Sequence, residues 1–145
     1  MLKIEDIKQQ NQISDNLSKI GYISNIGLST SIYLMLKLKK PILLEGEAGV
    51  GKTDLAKSLS IILDKPLIRL QCYEGLDMAS AAYEWNFAAQ MISIQKGNTE
   101  DIYSKSFLQE RPLLKSINNK DNFPILLIDE IDRADPPFEA FLLEI

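Results

Sequence analysis

The stretch Gly46-Glu47-Ala48-Gly49-Val50-Gly51-Lys52-Thr53 has the residue types that bind a chain of phosphates. It matches the phosphate-loop pattern G-x-x-x-x-G-K-[ST] at every fixed position. Glycines let the backbone wrap around phosphates, so that the N–H groups of the loop point inward. We expect Lys52 to reach the β- and γ-phosphates of a nucleotide and the Thr53 hydroxyl to ligate Mg²⁺.

The residues on either side of this loop predict the elements that position it. Before it, the apolar run Pro41-Ile42-Leu43-Leu44-Glu45 is typical of a buried strand. After it, the segment from Asp54 to Leu63 has apolar residues at 55, 56, 59, 62 and 63, which is the stripe of an amphipathic helix. A helix that begins near Lys52 adds its positive dipole end to the site. The alternative, a chance match in a surface turn, does not account for this strand–turn–helix context.

A second stretch with chemical potential is Pro124-Ile125-Leu126-Leu127-Ile128-Asp129-Glu130. Its apolar run predicts a fully buried strand of a parallel sheet, with two carboxylates where the strand ends. Ligands of open α/β sheets bind beyond the carboxyl ends of the strands, so we expect Asp129 and Glu130 to face the same crevice as Lys52 and Thr53.

The two acids have different expected roles. Asp129 would hold the Mg²⁺ shell, and Glu130 would orient and polarise the attacking water. The alternative is a pair of solvated acids at the end of a strand, which is common in proteins. Lys52 and Glu130 are therefore the candidate catalytic residues, Gly46–Thr53 the candidate nucleotide-binding loop, and Thr53 and Asp129 the candidate metal ligands.

Composition excludes several other classes of site. The chain has 145 residues, 46% of them hydrophobic and 25% charged, as in ordinary globular proteins. With no histidine and one cysteine, Cys72, it has no His-based triad, no multi-cysteine zinc site and no internal disulfide. A net charge of −4 and the absence of a lysine–arginine run argue against general nucleic-acid binding. No signal peptide or apolar span of membrane length is visible, so we expect a cytoplasmic protein.

The remaining elements are predicted from periodicity. Residues 1–20 read as a polar arm or short helix, and residues 21–145 as one nucleotide-binding domain. Further elements are expected as a helix over 24–39, a strand over 67–71, a helix over 77–96, a helix starting at Pro112, and a final helix with an apolar stripe at Phe138, Phe141, Leu142 and Ile145. Cys72 is expected to be a small packed side chain.

The aromatic segment Tyr83-Glu84-Trp85-Asn86-Phe87 has two interpretations. Its rings either pack a helix onto the sheet, which burial statistics for aromatics favour, or contact a partner or substrate at an exposed edge.

Taken together, these motifs resemble a known group of proteins. Gly46–Thr53 with Asp129-Glu130 looks like the AAA+ ATPases, and the segment Asp129-Glu130-Ile131-Asp132-Arg133-Ala134 resembles their MoxR branch. Many MoxR proteins carry Asn where this chain has Asp132. The segments 70–77, 83–86 and 138–144 are similar to the CoxD-type subgroup.

The resemblance implies a fold and an activity. The fold is an α/β, three-layer P-loop NTPase with a parallel sheet, and the activity is that of an ATP- and Mg²⁺-dependent chaperone. CoxD-like proteins are associated with maturation of carbon monoxide dehydrogenase and related molybdenum hydroxylases. MoxR relatives form hexameric rings and work with a partner that carries a von Willebrand A-type domain. By the same resemblance, Gly21-Tyr22-Ile23 lies near the adenine and Arg133 contacts a neighbouring subunit.

The resemblance also implies segments that this sequence does not contain. The family sheet has the strand order fifth, first, fourth, third, second, and only the first, second and third strands are found here. The fourth and fifth strands, the sensor, the arginine finger and the lid are missing. We therefore expect an N-terminal fragment that by itself hydrolyses almost no ATP. Two alternatives stay open for the full-length protein: a nucleotide-binding switch or scaffold without turnover, and a GTP-cleaving P-loop relative.

Overall fold

The computed structural model describes residues 2–47, 49–98, 101–119 and 122–144, with the side chains of residues 143 and 144 left aside. The chain divides into two compact units, Met1–Leu67 and Ile68–Ile145. The domain boundary expected after residue 20 stays a prediction. Among the described residues, no helix combines the length and the apolar character needed to cross a membrane.

The first unit is built from three helices. They are α1 (Gln10–Lys19), α2 (Ile26–Leu38) and α3 (Lys52–Leu63), preceded by a short 3-10 turn, Ile4–Asp6. Helix α1 packs against both α2 and α3. The fully buried apolar side chains of this unit are Ile7, Ile13, Leu17, Ile32 and Leu55. The polar N-terminal region therefore contributes a packed helix, because Ile13 and Leu17, four positions apart on α1, are both buried.

Helix α3 follows the expected amphipathic pattern. All five positions of the predicted stripe are buried: Leu55, Ala56, Leu59, Ile62 and Leu63. On the opposite side, Ile61 is 63% exposed. The period of the apolar residues thus fixes which side of α3 faces the core, and with it the direction of the loop that precedes the helix.

The strand expected at Ile42–Glu45 is not formed. Residues 41–47 have no regular secondary structure, and Leu43 is 62% exposed. An isolated strand leaves its N–H and C=O groups without a ladder partner, so an apolar run alone does not make a strand. Among the described residues no strand pairs with this segment. The resemblance implies that the two neighbours of this segment are the fourth and fifth strands of the family sheet.

The second unit has an α/β architecture with a parallel sheet. Its elements in order are β1 (Leu67–Gln71), α4 (Met78–Ala82), β2 (Tyr83–Trp85), α5 (Phe87–Gln95), β3 (Leu108–Glu110), α6 (Pro112–Asn118), β4 (Ile125–Asp129) and α7 (Pro136–Glu144). Strands β1 and β4 are hydrogen-bonded neighbours. They are the predicted second and third strands, and their adjacency confirms the expected order at this edge of the sheet.

Strand β4 is less buried than its sequence predicts. All five of its residues are half-buried, whereas a run of Ile, Leu, Leu and Ile is typical of a strand covered on both faces. In the part of the chain that the structure describes, β4 has β1 as its single strand neighbour. A strand with one free edge keeps part of its surface accessible, so the expectation of full burial was wrong.

The core of the second unit lies between β1, β4 and the helices α4, α6 and α7. Its buried residues are Leu70, Cys72, Leu76, Ala81, Leu113, Phe138 and Leu142. Phe138 stacks on the half-buried Phe141, with ring centroids 6.4 Å apart. This confirms the predicted stripe of the last helix at three positions, while Ile145 lies outside the described residues.

The predicted helix over residues 77–96 is interrupted by a strand. Tyr83, Glu84 and Trp85 form β2, which pairs antiparallel with β3 in the register Tyr83↔Glu110 and Trp85↔Leu108. Aromatic residues favour strands, and the alternation of Tyr83 and Trp85 has the strand period of two. Asn86 then starts α5 as its N-cap, since its side chain accepts a hydrogen bond from the Ala89 N–H at 3.0 Å.

The rings of this segment pack on one another. Trp85 contacts Tyr83 and Tyr103 edge to face, with centroid distances of 6.1 and 5.5 Å. Tyr83 and Phe87 are 38% and 65% exposed. The prediction that an aromatic helix packs onto the parallel sheet is therefore wrong, because Tyr83 and Trp85 belong to a separate two-stranded sheet formed by β2 and β3.

Candidate functional site

The phosphate-type loop lies in the first unit, immediately before α3. Gly49 and Gly51 have φ angles of +84° and +91°, in the left-handed region that side chains disfavour. Gly51 is also the N-cap of α3, and its carbonyl accepts the first helical hydrogen bond from Leu55 at 3.0 Å. The glycines therefore turn the chain into a twelve-residue helix whose N-terminus faces the loop.

The side chain of Lys52 folds back over this loop. Its ammonium group donates to the carbonyl oxygens of Gly46 at 2.6 Å and Glu47 at 2.8 Å. A positive charge is thus held beside the N-terminus of α3, where the helix dipole is also positive. This arrangement is suited to an anion, because a phosphate can accept hydrogen bonds from both sources.

The other residues of the loop are accessible. Gly46, Glu47 and Gly49 are exposed, and Val50 is 60% exposed. Thr53, in the first turn of α3, is half-buried. Ala48 lies outside the described residues.

Tyr22 lies against the loop. An ideal Cβ built on Gly51 would be 3.8 Å from the Tyr22 ring, so this ring is in van der Waals range of the loop. Burial raises the pKa of the Tyr22 hydroxyl, and the nearby carboxylate of Asp54 raises it further. The expected position of Gly21-Tyr22-Ile23 near an adenine stays a prediction, but the ring is at the phosphate-loop glycine.

The acidic pair lies in the second unit, at the end of β4. Asp129 is the last residue of that strand. Glu130 follows with φ +55° and ψ +44°, a left-handed conformation, and starts the 3-10 turn Ile131–Arg133. A left-handed residue that is not glycine costs about 1–2 kcal/mol. At Glu130 the left-handed backbone conformation therefore sets the direction of the side chain.

Each acid of the pair is bound by an arginine. Arg69 of β1 donates from Nη2 to Asp129 Oδ2 at 2.7 Å, and Arg133 donates from Nη1 to Glu130 Oε2 at 2.9 Å. Sequence reasoning assigned no role to Arg69. The available signal was its position on a neighbouring strand, which becomes informative only when the pairing of β1 and β4 is known. Arg133 was expected at a neighbouring subunit, which stays a prediction; its spacing of three residues from Glu130 suits the contact seen within the chain.

Cys72 lies directly behind the acidic pair. Its backbone N–H donates to the Asp129 carbonyl at 2.9 Å, and its side chain is fully buried. Burial raises the pKa of the thiol, and the carboxylates of Asp129, Asp132 and Glu130 raise it further. The thiol is therefore a packed core side chain, as its sequence context predicts, and is not activated as a nucleophile.

Thr53 and Asp129 offer oxygen ligands, which are the type that Mg²⁺ prefers. Among the residues the structure describes, no group of three or more His, Cys, Asp or Glu side chains could hold a metal ion. Mg²⁺ usually uses one or two protein oxygens together with substrate phosphates and water. The Thr53 hydroxyl and the Asp129 carboxylate are ligands of that hard, oxygen-only type. The two residues lie in separate units, Thr53 in the first and Asp129 in the second.

Comparison with known proteins identifies a family and several relatives. Residues 42–137 match the family described as "ATPase family associated with various cellular activities (AAA)". An uncharacterized protein of Staphylococcus saprophyticus is 31% identical over 102 residues. Uncharacterized proteins of two Staphylococcus aureus strains are 34% and 33% identical over 102 residues. Each alignment covers 70% of this chain and 34% of the relative, so the chain spans about a third of the length of these relatives. No solved structure matches.

Proposed function

Since the chain belongs to the AAA family of ATPases, we propose that it supplies the ATP-binding part of an enzyme that hydrolyses ATP with Mg²⁺. The observation that carries this proposal is the loop before α3. There the Lys52 ammonium group lies 2.6 and 2.8 Å from two loop carbonyls, and the loop glycines lead into the N-terminus of the helix. All of these groups attract a polyphosphate.

We assign the roles residue by residue. The N–H groups of Gly46–Thr53 surround the phosphates, and Lys52 exchanges its two carbonyl acceptors for β- and γ-phosphate oxygens. Thr53 and Asp129 hold Mg²⁺, which when bound neutralises charge on the phosphates. Glu130 orients the attacking water and accepts its proton.

The finer identity is part of the proposal and is based on resemblance. The segment Asp129–Ala134 is similar to that of MoxR proteins, and segments 70–77 and 83–86 to the CoxD-type subgroup. On this basis the full-length protein is a cytoplasmic chaperone that forms a homo-oligomeric ring. It uses ATP to remodel a client, such as a molybdenum hydroxylase of the carbon monoxide dehydrogenase type, together with a von Willebrand A-type partner.

A second candidate function is a nucleotide-binding switch without turnover. It is favoured by one observation: both carboxylates of the acidic pair are bound by arginines, at 2.7 and 2.9 Å. If the Arg133 contact persists with nucleotide bound, its guanidinium competes with a water molecule for Oε2 of Glu130. The GTP-cleaving alternative is separated by comparing affinities for ATP and GTP.

Substitution of Glu130 by glutamine in the full-length protein separates turnover from binding. We expect Glu130→Gln to keep the affinity for ATP and to lower the hydrolysis rate by about 10²–10⁴-fold, the usual contribution of a general base. Phosphate release measures the hydrolysis rate, and titration with a fluorescent nucleotide measures the affinity. Glu110→Gln, an exposed acid in β3, is the matched control. Turnover that survives Glu130→Gln would contradict the assigned role, and a wild-type protein that binds ATP without hydrolysing it would favour the switch.

A further inference from the structure

The ion pair between Arg69 and Asp129 is the contact of interest. The two residues lie on neighbouring strands of the second unit, β1 and β4. Their atoms Nη2 and Oδ2 are 2.7 Å apart, and the exposed fractions of the side chains are 49% and 22%. A guanidinium–carboxylate contact of this length is a charge-assisted hydrogen bond. Because the Asp129 carboxylate is mostly enclosed, this contact is better protected from solvent than the Arg133–Glu130 pair, whose exposed fractions are 62% and 42%.

The surroundings of Asp129 explain why a counter-charge is present. Glu130 and Asp132 follow it within three positions, so this short segment carries three carboxylates. Like charges at this spacing repel one another, and a nearby cation relieves the repulsion. Arg133 binds Glu130, and Arg69 supplies the positive charge at Asp129.

We propose that Arg69 is a positioning residue that occupies the Asp129 carboxylate until a divalent cation replaces it. The inference rests on the proposed function, since it takes Asp129 as a metal ligand. A guanidinium group and a divalent ion at one carboxylate repel each other. A divalent ion that binds at Oδ2 therefore has to displace the Arg69 guanidinium, so the Arg69–Asp129 contact lowers the apparent affinity for the metal.

This inference predicts the sign of one measurable change. Without the Arg69 charge, the metal no longer competes with a guanidinium at Oδ2, and the local field becomes more negative. Arg69→Gln should therefore bind a divalent cation more tightly, by about two- to fivefold, the factor that a partly exposed ion pair contributes. If Arg69 instead held Asp129 in place while the metal was bound, its loss would weaken metal binding. The two roles thus predict changes of opposite sign.

The experiment uses Mn²⁺ as the probe and the full-length protein saturated with ADP. Electron paramagnetic resonance of free Mn²⁺ gives the dissociation constant without any hydrolysis. Arg69→Gln is compared with wild type and with Arg111→Gln, which removes another partly exposed arginine–glutamate pair of the same unit, that with Glu84. We expect the Mn²⁺ dissociation constant to fall two- to fivefold in Arg69→Gln and to stay unchanged in Arg111→Gln. An equal or higher constant in Arg69→Gln overturns the inference.

A second measurement on the wild-type protein does not depend on the variant folding. The ¹⁵N signal of the Arg69 side chain, assigned by comparison with Arg69→Lys, should move to its solvent-exposed position when Mg²⁺ is added to the ADP complex. An Arg69 signal that does not respond to Mg²⁺ overturns the inference. Failure of the proposed function has a different signature, because wild type would then bind no nucleotide with or without metal, and both proposals would fall together.

Discussion

Replacement of Gly51 by alanine tests the geometry of the phosphate loop. Gly51 has φ +91° and ψ +17° and is the N-cap of α3. An added Cβ would meet no atom closer than the Tyr22 ring at 3.8 Å, which is ordinary van der Waals contact. The substitution therefore adds backbone strain without a steric clash.

The size of the effect follows from this strain. An L-residue in the left-handed region costs about 1–2 kcal/mol relative to glycine. If the loop of Gly51→Ala keeps its conformation, the whole cost appears as lost stability. If the free loop relaxes instead, binding of nucleotide must restore the strained conformation, and the cost appears as lost affinity. The two losses should therefore add up to about 1–2 kcal/mol, which is roughly a 5- to 30-fold change in an equilibrium constant.

Two measurements on the full-length protein give both terms. Urea denaturation yields the change in the free energy of unfolding, and titration with a fluorescent ADP analogue yields the change in affinity. Gly75→Ala is the matched control, because Gly75 has φ +83°, with open space around its Cβ position, and belongs to the second unit and not to the phosphate loop. In that variant we expect the full cost as lost stability and none as lost affinity.

Two outcomes would refute the reasoning about Gly51. A Gly51→Ala protein that is as stable as wild type and binds nucleotide equally well would show that the left-handed conformation is not required. A loss of affinity in Gly75→Ala of the same size as in Gly51→Ala would show that the effect on binding is not specific to the loop.

Three further predictions concern the core and the protonation of single groups. Leu59→Ala should lower the free energy of unfolding by about 2–5 kcal/mol, because Leu59 is buried in α3. Ile61→Ala, at an exposed position of the same helix, should change it by less than about 0.5 kcal/mol. Equal losses of stability in urea denaturation would contradict the orientation of α3. Hydrogen bonds from the Ser80 side chain and then from the Ser80 backbone N–H lower the pKa of Asp77. Its contribution to stability is therefore present above the unfolded-state pKa and lost as pH falls through the folded-state pKa. Asp77→Asn should flatten this part of the acid-denaturation curve, and an unchanged curve would exclude the role of the cap. The thiol of Cys72 is buried and its pKa is raised. A thiol reagent at pH 8 should therefore label Cys72 only as fast as the second unit unfolds. Labelling in native buffer at the rate of a free cysteine would contradict its burial.

The sequence alone was sufficient for local features that depend on neighbouring residues. The glycine pattern of the loop predicted the turn before α3, and the apolar spacing from 55 to 63 predicted which side of this helix is buried. Pro112 starts α6 as its spacing indicates. These predictions succeed because a glycine conformation or a helical period is decided within a few residues.

Features that depend on pairing between distant residues were decided by the tertiary structure. The apolar run at 41–45 forms no strand without a neighbour, and Tyr83–Trp85 forms one because β3 pairs with it. The Arg69–Asp129 contact spans 60 residues and exists because β1 lies beside β4. Hydrogen-bond partners and counter-charges are supplied across space, and one sequence read in order does not show which segments meet. The motif thus determined what kind of chemistry the chain could perform, and the packing determined which charges surround the acids that would perform it.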